Sequence, residues 1–217
     1  MPLRGLIFDF DGVIVDTETA TLDAWRQVHA EDGFFADPRV LHAFVGHVDI
    51  AGDIWTSYPE TYDRSSLSAR FLDYTRRLCR EAPVLPGVLQ LLDAARDAGL
   101  RLAVASNSSH RHVDGHLSAR GLLERFQTVV CREDVPHGKP APDLYLAALE
   151  RLGLDAPEAV AFEDSLPGHE AAAAAGLRVV VVPNPSTAGD HFPRATLRLD
   201  SLAETNLEFL ATLKPFA

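Results

Sequence analysis

Two acidic stretches are the first residues in this chain whose types and spacing suggest chemistry. Phe8-Asp9-Phe10-Asp11-Gly12-Val13 sets two carboxylates about one phenylalanine, directly after the apolar run Leu3–Phe8. Successive side chains of a strand point to opposite faces, but a chain turning at Gly12 brings Asp9 and Asp11 to one crevice. Carboxylates held that close resist ionising together unless a cation or proton sits between them. A solvent-exposed Asp-Gly turn is the plainer reading of such a stretch. The Leu-Ile-Phe lead-in argues against it, because it sets these acids at the end of a buried strand. Ala161-Phe162-Glu163-Asp164-Ser165 ends a second apolar run in another acidic pair. Hard oxygen donors gathered from two strand ends suit Mg²⁺, which takes one or two carboxylates and keeps room for water and a phosphate oxygen.

Two further stretches would complete such a site. Ser106-Asn107-Ser108-Ser109 follows an apolar run and precedes a helical pattern. It offers a hydroxyl and helix N-terminal amides to an anion, and equally a simple N-cap to the helix. Gly138-Lys139-Pro140 holds one of only two lysines in a chain that otherwise uses arginine, the other being Lys214.

The elements that must position these residues follow from periodicity. Leu3–Phe8, Leu100–Ala105, Phe126–Val130, Ala159–Phe162 and Val179–Val182 have the length and near-continuous apolar character of parallel strands covered on both faces. Between them lie helical patterns at Val88–Ala98, Arg111–Arg120, Asp143–Arg151 and Gly168–Ala175, each followed by a glycine that stops it. Leu202–Leu213 reads as one closing amphipathic helix. Repeated strand–helix alternation predicts an α/β fold with a Rossmann-like, doubly wound parallel sheet. One connection departs from it. From about Val15 to Pro83 no strand is legible, only helical patches at Thr19–Glu31, Pro38–Phe44, Asp49–Trp55 and Ser66–Arg80. This predicts an all-helical insert over residues 15–83 in a core made of 1–14 and 84–217, with Trp25 and Trp55 packing the insert's own core.

Composition excludes several function classes. Twenty basic against 31 acidic residues give a formal net charge of −11, which disfavours binding to a phosphate backbone. No apolar run approaches the length of a membrane span, and the N-terminus lacks the layout of a signal peptide. Cys79 and Cys131 form no CxxC pair, so neither a disulfide framework nor a thiolate zinc site is expected. His112 and His116 stand four apart, but no glutamate lies between them and Gly115 weakens the helix, so they are not read as a metal pair. A cytoplasmic, monomeric protein with no nucleic-acid or membrane partner is expected.

In order and context, Asp9-Phe10-Asp11-Gly12, Ser106-Asn107, Lys139-Pro140 and Glu163-Asp164-Ser165 resemble the haloacid dehalogenase-like superfamily of phosphotransferases. Val15-Asp16-Thr17-Glu18, Leu85-Pro86-Gly87 and Gly168-His169-Glu170-Ala171-Ala172 extend the likeness to the branch with a helical cap after the first strand, which includes small phosphatases and β-phosphoglucomutase-like enzymes. The resemblance implies that Asp9 is a nucleophile forming a phosphoaspartate and that Asp11 is the general acid and base. It implies Mg²⁺ held by Asp9, the Asp11 backbone carbonyl and Asp164, with Glu163 a ligand or just behind. Ser106, the Asn107 amide and Lys139 would hold the phosphoryl oxygens. Dehalogenases of the superfamily lack the second aspartate, so Asp11 argues against that activity.

The resemblance also frames what the phosphoenzyme does next. Thr21 and Asp49 stand where a mutase cap carries a histidine and an arginine, and an anion at the latter position would repel a second phosphate. Water is therefore the expected acceptor, and hydrolysis of a small phosphorylated metabolite such as a sugar phosphate the expected reaction. A phosphosugar isomerase of the β-phosphoglucomutase type and a non-catalytic phosphate-binding regulator are the alternatives. Gly12, Asn107 and the cap residues Glu18, His47 and Arg70 are the expected substrate contacts.

Overall fold

The computed structural model describes residues 2–37, 40, 53–184 and 187–214. They fall into two compact units, Met1–Ile14 with Val84–Ala217 and Val15–Pro83. The first unit is built on β1 (Gly5–Phe8), β2 (Arg101–Ala105), β3 (Thr128–Val130), β4 (Ala159–Glu163), β5 (Arg178–Val181) and a two-residue edge strand β6 (Leu197–Arg198). All pair in parallel in the order β3-β2-β1-β4-β5-β6, so the chain winds one way from β1 to β3 and the other way from β4 to β6. The reversal lies between β1 and β4, where the strand ends of a doubly wound sheet leave a ligand crevice.

The buried strands explain their own composition. Ile7, Ala103, Ala105, Ala161 and Val179 turn to one face, against Leu144 and Ala148 of a helix over Asp143–Leu152 and Ala172 of one over Leu166–Ala174. Alanines there let helices approach the sheet closely, which is why the Ala171–Ala175 run is a packing face. On β1 and β4 the neighbours Phe8 and Phe162 stack with ring centroids 4.6 Å apart, and Phe126 meets Phe8 edge-on at 6.2 Å. Phe162→Ala is expected to cost about 3–5 kcal/mol of folding stability, since it empties a fully buried ring site. Urea denaturation measures this, and a loss below about 1 kcal/mol would mean that the face repacks.

Helices cover both faces. Among the described residues of both units, the α-helices in chain order are α1 (Thr17–Glu31), α2 (Arg64–Glu81), α3 (Val88–Asp97), α4 (His110–Ala119), α5 (Asp143–Leu152), α6 (Leu166–Ala174) and α7 (Leu207–Thr212), of which α1 and α2 belong to the second unit. The closing stretch is not one helix. A single 3-10 turn at Leu202–Glu204 ends before Asn206, whose side chain accepts from the Phe209 amide at 2.9 Å and starts α7 afresh. That local cap overrides the apolar period. Strand β6 is an element too short to leave a periodic signal.

The second unit, within Val15–Pro83, is helical where described. Asp16 caps α1 by accepting from the Thr19 amide at 2.9 Å, and Asp63 caps α2 through Ser65. Leu22, Trp25 and Val28 of α1 meet Trp55, Tyr58 and Leu67 in a small aromatic core. Residues 54–57 are turns rather than the end of a helix, with the Trp55 amide donating to Asp53 at 2.9 Å. The patch expected at Pro38–Phe44, save Val40, and residues 49–52 lie outside the described residues. Cys79 and Cys131 are buried and form no disulfide. Among the described residues no helix is long and apolar enough to cross a membrane.

Candidate active site

Strand register assembles the site. Phe8 pairs with Phe162, and the Asp9 amide continues the ladder by donating to the Phe162 carbonyl at 2.9 Å, so Asp9 emerges beside Glu163 and Asp164. Phe10 is fully buried and pins the next step of the chain. Gly12 then takes a left-handed φ of 79° to turn back, and a Cβ there would collide with the Asp164 carboxylate. Gly168 serves the same end from α6, because a side chain at that position would run into the Glu163 carboxylate.

Lys139 reaches the cluster from the loop before α5. Its amide donates to Asn107 Oδ1 at 2.8 Å, and its carbonyl accepts from Asn107 Nδ2 at 3.3 Å, so Asn107 holds the lysine's backbone from both sides. The Lys139 side chain is 4% exposed, and its Nζ donates to Asp9 Oδ1 and, at 2.6 Å, to Glu163 Oε1. The Tyr145 hydroxyl donates to the same Glu163 oxygen. Glu163 Oε2 accepts from the Asp164 amide at 3.2 Å and the Ser165 hydroxyl at 3.4 Å. Glu163 is thus fully buried with both oxygens occupied.

The electrostatics follow from that count. Carboxylate oxygens of Asp9, Glu163 and Asp164 lie within 4.8 Å of one another, and all three residues are buried. Three carboxylates against one ammonium leave a surplus of two negative charges. Burial accordingly pushes the Asp9 carboxyl well above the usual range, with Lys139 opposing and Glu163 and Asp11 adding to the rise. Burial would drive the Lys139 ammonium down, but Asp9 and Glu163 outweigh it and hold the lysine protonated. A hard divalent cation matches this donor set, and Asp9 and Asp164 are the carboxylates best suited to hold one, since Glu163 is already engaged by Lys139 and Tyr145.

Asp11 is set apart from that cluster. Its Oδ2 accepts from the Ser108 hydroxyl at 2.6 Å, and its Oδ1 pairs with His112 Nε2 at 2.8 Å. Burial lowers the His112 imidazole pKa, and Asp11 more than reverses this, so the net shift is upward. Ser106 is buried, and its hydroxyl oxygen accepts from the Ser108 amide at 3.0 Å.

The structure therefore brings together Asp9, Lys139, Glu163 and Asp164, sets Gly12 against Asp164, and ties Asn107 to Lys139. Glu18 stands in the first turn of α1. His47 lies outside the described residues. The Arg70 guanidinium donates to Glu31 at 2.7 Å and Asp32 at 2.8 Å, and also to the Val28 carbonyl, so it ties α2 to the end of α1. His112 faces Asp11, and Nδ1 of His116 meets Arg120 at 3.0 Å.

Four residues of the site escaped the sequence reading. Ser108 was legible only as part of a helix-start stretch, and His112 only as half of an unconvincing pair. Tyr145 carried no signal, being one aromatic on an apolar helix face. Asn184, in the loop after β5, donates from Nδ2 to Asp164 Oδ2 at 2.7 Å, and its only trace is a Pro-Asn-Pro turn pattern.

The chain is similar to known proteins over most of its length. The family model for haloacid dehalogenase-like hydrolases matches residues 3–176. The YhcW protein of Bacillus subtilis (strain 168) is 37% identical over 213 residues, covering 96% of each chain. Hexitol phosphatase B of Escherichia coli (strain K12) is 32% identical over 204 residues, covering 91% of this chain and 92% of its own. The crystal structure of CbbY from Rhodobacter sphaeroides in complex with phosphate is similar at a TM-score of 0.75 and 30% identity, covering 95% of this chain and 98% of that one. With its lysine-bridged acids at the sheet's reversal point and this match over most of its length, the chain belongs to the haloacid dehalogenase-like hydrolase family.

Proposed function

We propose that this protein is a Mg²⁺-dependent phosphatase that hydrolyses a small phosphorylated metabolite, a sugar or polyol phosphate, through a phosphoaspartate on Asp9. The observation that carries the reading is the Asp9 carboxylate, buried and bridged by Lys139 to Glu163, at the tip of β1 beside Asp164. The phosphatase relative and the phosphate-bound neighbour support it. Residues 1–14 and 84–217 are the catalytic core in this reading, and residues 15–83 are the helical cap, from which Glu18, His47 and Arg70 are kept as substrate contacts.

An Asp9 carboxylate oxygen attacks phosphorus in line, and the ester P–O bond breaks as the Asp9–phosphorus bond forms. Asp11 gives its proton to the departing alkoxide. It then takes a proton from the water that cleaves the acyl phosphate, which restores both aspartates and releases inorganic phosphate. Splitting one displacement into two lowers each barrier. Lys139, the Ser106 hydroxyl and the Asn107 amide hold the phosphoryl oxygens as charge spreads over them. Mg²⁺ bound by Asp9 and Asp164 would supply the remaining positive charge against those oxygens.

Phosphate release from p-nitrophenyl phosphate and from a panel of sugar and polyol phosphates tests the proposal. Exhaustive chelation is expected to lower turnover by about a hundredfold or more, with full recovery on adding Mg²⁺. Undiminished turnover in chelator would count against the metal. Net conversion of β-glucose 1-phosphate to glucose 6-phosphate without phosphate release would replace hydrolysis by the isomerase reading.

A further inference from the structure

Asp11 is the group whose placement the reaction depends on most, because a general acid works only within hydrogen-bond reach of the oxygen it protonates. An aspartate side chain has two free torsions, and Asp11 is 23% exposed, so burial alone does not hold it. Each carboxylate oxygen has a hydrogen-bond partner that helps hold it: Ser108 Oγ to Oδ2 at 2.6 Å and His112 Nε2 to Oδ1 at 2.8 Å.

Both partners are themselves held by rigid parts of the core. The Ser108 amide donates to Ser106 Oγ at 3.0 Å, directly beyond β2. His112 sits in the first turn of α4, its amide bonded to the Ser109 carbonyl at 2.9 Å. Its ring meets Phe10 edge-on, with centroids 5.6 Å apart, and Phe10 is the buried residue between the two site aspartates. The imidazole is thereby fixed against the same short segment that carries Asp9 and Asp11.

We propose that Ser108 and His112 are positioning residues that together set the Asp11 carboxylate for proton transfer to the leaving oxygen. The proposal rests on the phosphatase reading above and adds two residues to it. With Nε2 carrying the imidazole proton, His112 donates to the oxygen that is left anionic once Asp11 has protonated the alkoxide. No proton leaves the imidazole in that step.

The two kinds of ester separate this role from a merely structural one. A sugar or polyol alkoxide needs a proton to depart, whereas p-nitrophenolate departs without one. The ratio of kcat/KM for an alkyl phosphate to kcat/KM for p-nitrophenyl phosphate therefore reports the placement of Asp11 up to formation of the phosphoenzyme. His112→Phe keeps the ring against Phe10 and removes the donor. It is expected to lower that ratio by about tenfold to a hundredfold, the scale on which general acid catalysis is lost to small displacements. His112→Gln, which returns an N–H at similar reach, should restore part of it, and Ser108→Ala should lower it in the same direction.

A His112→Phe enzyme that loses activity equally on both esters, or on neither, overturns the proposal. So does a crystal structure of that variant in which the Asp11 side chain keeps its place, a readout that needs no activity. Failure of the underlying reading looks different: the unmodified enzyme would release no phosphate from any ester, or Asp9→Asn would leave release intact.

Discussion

Asp9→Asn is expected to reduce phosphate release by at least about a thousandfold while leaving the protein folded, because it removes the nucleophile and little else. Asparagine has the shape of aspartate, and its carbonyl oxygen still accepts from Lys139 Nζ. What disappears is the negative oxygen that bonds to phosphorus. The same change should leave thermal stability in the absence of divalent ions equal to that of the unmodified protein or slightly above it. The fold holds three buried carboxylates against one ammonium, and a neutral amide removes one of the mutually repelling charges. Turnover assays with matched thermal melts read both halves. Retained turnover would assign the attack to another group, and a fall in Tm of more than about 5 °C, some 1–2 kcal/mol for a chain of this size, would show that the charge balance is misjudged.

Lys139→Met carries the second large effect, with the opposite sign on stability. Methionine fills most of the lysine's volume but leaves Asp9 and Glu163 without their ammonium. Removing one partner from a buried charge pair costs on the order of 3–5 kcal/mol, since the remaining charge stays desolvated and unbalanced. Activity should fall at least about a hundredfold as well, because the same Nζ is assigned to the phosphoryl oxygens. Mg²⁺ should raise the Tm of the variant by more than it raises that of the unmodified protein, since the ion then meets a site with a larger negative surplus. Thermal melts across a Mg²⁺ series check this. A variant as stable as the parent would mean that the three carboxylates share protons and do not need the lysine.

Much of the core is legible in the amino-acid sequence. The five longer strands lie where the apolar runs are, and α3 to α6 begin and end within about two residues of their periodic stretches. The Gly153 stop shows why: it closes α5 in a left-handed conformation with its amide bonded to the Leu149 and Glu150 carbonyls, a requirement that local sequence states outright. The acids at the strand tips were legible for a related reason. A charged pair ending an apolar run has few structural explanations, and in a doubly wound sheet strand tips gather at one edge.

Other features depended on which strand neighbours which. His112 meets Asp11 across 101 positions and Ser108 meets it across 97, distances at which periodicity carries no information. Tyr145 and Asn184 are ordinary residues of an apolar helix face and a turn until the sheet order sets them against Glu163 and Asp164. The pairing of Arg70 with Glu31 and Asp32 likewise follows from the packing of α1 against α2, which no pattern local to Arg70 encodes.

What the chain's own residues determined, then, was the set of elements, the acids and lysine at their ends, and the charge conflict among those acids. Backbone period, caps and turns are local, and a chain encodes them in neighbouring residues. Which donors hold each oxygen of Asp11, and which cation balances Glu163, was decided only by tertiary structure, because hydrogen-bond partners are chosen by strand order and register, and these bring together residues far apart in sequence.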